Sequence, residues 1–203
     1  MNKGARVVAI DVDAAALARA YDGQESVRAV AVDLTDARAT DSALEGAGRV
    51  DVLCNIAGGF DMGPAVHESS DGMWRRLLDL NVATLINASR ALVPAMLVSG
   101  GRIVNVAAAS ANSGKAGMGA YCAAKDAVAR LTEAMAIELR EQGIGVNAVA
   151  PSIIDTPANR AAMPDADPSR WVAVSDLVSV IDFLASPTAR AVNGAIVPVV
   201  GLS

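Results

Sequence analysis

Short runs of Val, Ile and Ala, apolar on both faces, recur along this chain with a helical pattern between one run and the next. A strand with two apolar faces needs cover above and below, and an intervening helix makes consecutive strands parallel. The pattern therefore dictates an α/β class: a doubly wound, mostly parallel, Rossmann-like sheet. The runs are 6–10, 27–32, 50–55, 101–106, 144–150 and 195–200. Helices are expected over 13–21 with Asp13 as N-cap, 35–46, 70–99 with a break near Pro94, 120–142 stopped by Gly143, and 175–185 capped by Ser175. The stretch 151–171 is irregular and rich in Pro, Asp and Asn, which reads as a functional lid.

Composition narrows the function. At 203 residues and 53% hydrophobic, the chain fits one domain over 1–203, and only 3% aromatics make its core aliphatic. A net charge of -5 offers no basic footprint for nucleic acid or an anionic membrane. No apolar run nears the roughly 18 residues of a membrane helix. Asp11 and Asp13 interrupt the apolar stretch that a signal peptide would need. Cys54 and Cys122 lie far apart, as suits a cytoplasmic, reducing location. A single histidine, His67, excludes a histidine metal cluster within one chain, and no metal is expected.

Three features carry chemistry. Tyr121 and Lys125, four apart, share one helix face a turn apart. A phenol titrates near 10, and a nearby ammonium is expected to lower that and let the phenol pass a proton. With two Tyr and three Lys in 203 residues, chance supplies only about 0.03 such pairs. Asn55-Ile56-Ala57-Gly58-Gly59 ends a strand on the edge where doubly wound sheets bind ligands, and its small residues admit a flat ligand to the backbone. Asp11 ends the first strand. It reads either as the acceptor of a ribose diol, favouring NAD over NADP, or as a carboxylate facing the dipole of the next helix. Asp33-Leu34 ends the next strand and is placed to meet an adenine.

Together these residues resemble the short-chain dehydrogenases/reductases over the whole chain. The resemblance rests on Asn55-x-Ala57-Gly58, Leu80-Asn81-Val82, Ile103-Val104-Asn105-Val106, Tyr121-x-x-x-Lys125, and Asn147-Ala148-Val149-Ala150-Pro151 followed by Ile154-x-Thr156. It implies Tyr121 as proton donor and acceptor, and Lys125 as a ribose ligand that lowers the Tyr pKa. Asn81 would hold a relay water, and Ile154 and Thr156 would bind the carboxamide and phosphate side of the nicotinamide. It further implies a small-molecule substrate and a homodimer or homotetramer. Gly117-Met118-x-x-Tyr121 and the run from Asp155-Thr156-Pro157 to Trp171 are closest to dihydropteridine reductase-like members, with Trp171 as a candidate substrate contact.

Two departures stand out. Thirteen residues before the Tyr, where the family has its catalytic Ser, stands Ala108; Ser110 and Ser113 are the hydroxyls nearest in sequence. An activated acceptor, pteridine-like or quinone-like, would need such a donor less than a ketone does. The family's first strand, Gly-x-x-x-Gly-x-Gly turn and first helix are also missing, and Lys3-Gly4-Ala5-Arg6-Val7 matches the junction that follows them. The expectation is a truncated product or a downstream start, lacking the strand between 7–10 and 50–55. The alternative function is a catalytically impaired chain that serves as a folded binding or assembly partner.

Overall fold

A computed structural model describes residues 4–203, so Lys3 of the junction lies outside the described residues. Six strands alternate with helices: β1 (Val7–Asp11), α1 (Ala14–Tyr21), β2 (Val27–Ala31), α2 (Ala37–Leu44), β3 (Val52–Asn55), α3 (Asp71–Leu78), α4 (Thr84–Met96), β4 (Gly101–Val106), α5 (Gly119–Leu139), β5 (Ile144–Pro151), α6 (Pro157–Ala162), α7 (Val174–Ala185) and β6 (Ile196–Val199). Every strand pairing is parallel. The α/β doubly wound class read from the sequence is the observed one.

The sheet comes in two pieces. β1 pairs with β2, and β3-β4-β5-β6 form a second run in that order. Among the described residues β1 and β3 do not pair. Their side chains reflect it: Val7, Val8 and Val52 are 43%, 45% and 42% exposed. The pieces are joined through packing. Ile10 of β1 lies against the cluster of Leu44, Leu53, Leu92, Met96 and Ile103. Asn87 on α4 donates to the Leu34 carbonyl at 2.9 Å.

Local chemistry sets the helix boundaries. Asp13 caps α1, accepting from the backbone N–H groups of Ala15 and Ala16, as expected. Asp36 does the same for α2, so that helix begins after Thr35. α7 begins at Val174 with Ala173 in the cap position, which corrects the expected Ser175 cap. Pro94 sits in the last turn of α4 without breaking it. The irregularity lies earlier, in a π-turn at Asp79–Ala83 between α3 and α4. The lid is only partly irregular: it holds α6, and Ile154 bridges to Val172.

The candidate active site

Parallel strands align their carboxyl ends on one edge, and the next helix starts there. Asp11, Asn55, Val106 and Pro151 are the last residues of β1, β3, β4 and β5. Above this edge Tyr121 and Lys125 stand on the first turns of α5. Lys125 is only 5% exposed, and its ammonium donates to the Val106 carbonyl at 2.7 Å. Burial lowers its pKa to about 8. No carboxylate faces it, so a buried cation with spare donors points at the strand edge.

Gly58 lies directly against that cation. A Cβ on Gly58 would stand 3.1 Å from Lys125 Nζ and 2.7 Å from Asn81 Oδ1. Only a residue without a side chain fits. Asn81, inside the π-turn, clamps the neighbouring residue. Its Oδ1 accepts from Gly59 N–H at 3.1 Å, and its Nδ2 donates to the Gly59 carbonyl at 2.9 Å. π-turns concentrate at functional sites because they turn one side chain out of helical register. The structure brings Asn81 to the loop backbone.

Beneath the site runs a chain of polar side chains that links the predicted Asn55 to Asn105 and to Thr132, which sequence reasoning did not single out. Asn55 donates to Asn105 at 2.9 Å, Asn105 to Thr132 at 2.9 Å, and Thr132 to the Val128 carbonyl at 2.8 Å. Asn105 and Thr132 are wholly buried. This network ties β3, β4 and α5 together at fixed height. Its signal in the sequence was a polar Asn105 inside an otherwise apolar strand.

Tyr121 is half-buried, and the edge of its contact with Phe60 is T-shaped: centroids 4.9 Å apart, planes at 84°. Burial first, and Cys122 second, push its pKa up rather than down. This reverses the expected lowering by Lys125, whose ammonium is turned to Val106 instead. Phe60 was likewise absent from the sequence reading.

The remaining predicted residues are spread out. Ala108 is 7% exposed and closes the site beside Ala107 with no hydroxyl; Ser110 follows, half-buried, with its carbonyl 3.5 Å from Cys122 Sγ. Asp11 is exposed, and its Oδ1 accepts from Asp13 N–H at 2.9 Å. Asp33 binds the Thr35 hydroxyl at 2.7 Å, which with the Thr35 N–H holds its carboxyl below the usual range. Thr156 caps α6 through Asn159 N–H at 3.2 Å, while the Ile154 carbonyl accepts from Asn159 Nδ2 at 2.7 Å. Trp171, at the base of the lid, is 8% exposed and packed inward. Ala57 and Gly58 are exposed at the mouth.

The family profile described as short chain dehydrogenase matches residues 1–167. The chain belongs to this family. L-xylulose reductase of Bos taurus is 33% identical over 213 residues, 98% of this chain and 86% of the relative. A gluconate 5-dehydrogenase of Burkholderia cenocepacia J2315, solved with NADP and tartrate, superposes with a TM-score of 0.86 at 27% identity, covering 97% of this chain and 84% of its own. A carveol dehydrogenase of Mycobacterium avium, solved with NAD, gives a TM-score of 0.78 at 29% identity, covering 86% and 74%. Sugar and polyol dehydrogenases carry much of the sequence similarity, which corrects the expected closeness to dihydropteridine reductase. No helix among the described residues is long and apolar enough to cross a membrane.

Proposed function

We propose that this chain exchanges a hydride between a nicotinamide dinucleotide and the carbonyl or alcohol carbon of a small molecule, with Tyr121 as the acid/base. The observation that carries it is the meeting of the buried Lys125 ammonium and Asn81 at the bare backbone of Gly58, with Tyr121 one turn before Lys125 on α5. A ribose fits this donor set: Lys125 has spare N–H donors for its hydroxyls, and the exposed backbone of Gly58 lies beside that ammonium. The dinucleotide supplies the hydride acceptor or donor. Lys125 holds the ribose and Asp11 takes its partner diol, an arrangement that favours NAD over NADP because a carboxylate repels a 2′-phosphate. Tyr121 gives its phenol proton to the alkoxide oxygen during reduction and takes it back during oxidation. Ile154 and Thr156 flank the nicotinamide end. This reading is preferred to the non-catalytic alternative because Tyr121 and the buried Lys125 share the first turns of α5 and Lys125 meets Asn81 at Gly58.

An NADH-consumption assay over a panel of ketones, sugars and quinones tests it. Tyr121→Phe keeps the ring but removes the proton, so turnover is expected to fall by about 10²- to 10⁴-fold. Full activity in that variant would remove Tyr121 from the chemistry.

A further inference from the structure

The loop from β3 to α3 keeps four large apolar side chains in solvent: Ile56 at 62%, Phe60 at 57%, Met62 at 61% and Val66 at 62% exposure. Such a cluster marks a surface that meets something apolar. The loop is not loose. Asn81 holds Gly59 by two hydrogen bonds, Arg76 pairs with Asp61, and Gly63 N–H donates to the Gly117 carbonyl at 2.8 Å.

Fastened this way, the loop lays three of those side chains along the start of α5. Phe60 meets the Tyr121 ring edge to face. Met62 reaches Gly117, where a Cβ would stand 3.4 Å from its Cε. Val66 lies so close to Gly119 that a Cβ there would be 2.6 Å from Cγ2. Between 56 and 66 the only polar side chain is Asp61, and Arg76 already occupies it.

We propose that Phe60, Met62 and Val66 form an apolar substrate wall beside Tyr121, and that the substrate is a carbonyl or alcohol whose reacting carbon bears a flat or aliphatic group rather than a polyol. The inference rests on Tyr121 being the acid/base, since the wall is defined by its contact with that ring. A polyol brings hydroxyls that lose water at this wall and find no partner there. An aryl or alkyl group gains contact with Phe60 and loses nothing.

The test is ligand binding to the full chain by saturation-transfer NMR, with 1-tetralone as the flat ketone and xylitol as the polyol, beside turnover of each. Tetralone is expected to bind at least about tenfold more tightly than xylitol. Phe60→Ala should weaken tetralone by about fivefold or more, and Phe60→Leu, which keeps apolar bulk, should recover much of that affinity. Tyr121→Phe keeps the ring and should remove turnover while tetralone still binds more tightly than xylitol. Xylitol binding as tightly as tetralone, no tetralone binding, or an unchanged affinity in Phe60→Ala would overturn the proposal. Turnover surviving Tyr121→Phe with the binding pattern intact would instead overturn the acid/base reading alone.

Discussion

Lys125 is a cation held in the interior by one carbonyl, and that has a consequence for pH. Its pKa falls from 10.5 to about 8 on folding, because burial penalises the charge. Between those values the unfolded chain binds more protons than the folded one, so stability rises with pH across that window. Below about 8 both states are protonated and the penalty is constant. Denaturant midpoints of the wild type relative to Lys125→Met should therefore climb from pH 8 to 10.5, by on the order of 3 kcal/mol in total. A flat difference would mean that the ammonium is solvated. Ala108 makes a second prediction. It is buried, and the resemblance implies a substrate-facing hydroxyl at this position, so Ala108→Ser should raise turnover of a plain ketone by about tenfold or more, read as kcat. At this scale the Tyr121–Lys125 pair was legible, because a spacing of four fixes a shared face. The direction of the Tyr121 pKa was not. It is set mainly by burial, which only the folded site supplies, and then by Cys122.

Among the elements, the two acidic caps and the π-turn show what a local reading can and cannot reach. Asp13 announces α1 because its side chain and the helix it caps are neighbours in sequence. Ser175 looks equally good, yet packing starts α7 two residues earlier, at Ala173, and leaves Ser175 exposed within the first turn. Asp13→Ala is expected to cost about 1 kcal/mol in a urea melt, whereas Ser175→Ala should stay within about 0.5 kcal/mol. Pro94 invited a break, and it removes one backbone donor, yet α4 continues through it to Met96. The real departure, at Asp79–Ala83, has no breaker residue. It exists because Asn81 must reach the Gly59 backbone, a contact 22 residues distant that no window of sequence displays.

Across the whole molecule, the α/β class was readable because strands that are apolar on both faces permit few other folds. The two pieces of sheet differ in support. Residues 4–51 contribute only Leu17, Thr40 and Leu44 to the buried set, while β5 is almost entirely buried and β4 buries Ile103, Val104 and Asn105. Hydrogen exchange followed by mass spectrometry should therefore show β1 and β2 opening well before β4 and β5, as a separate cooperative unit. Equal protection would mean that Ile10 and Asn87 bind the pieces more firmly than their contacts indicate. The open flanks of β1 and β3 also bear on handling. Each is a half-zipped seam of backbone polar groups flanked by valines, ready to be templated by a neighbour. Solutions of this protein should accordingly stay monodisperse only when dilute, and crowding should drive copies together through those seams before any heat is applied.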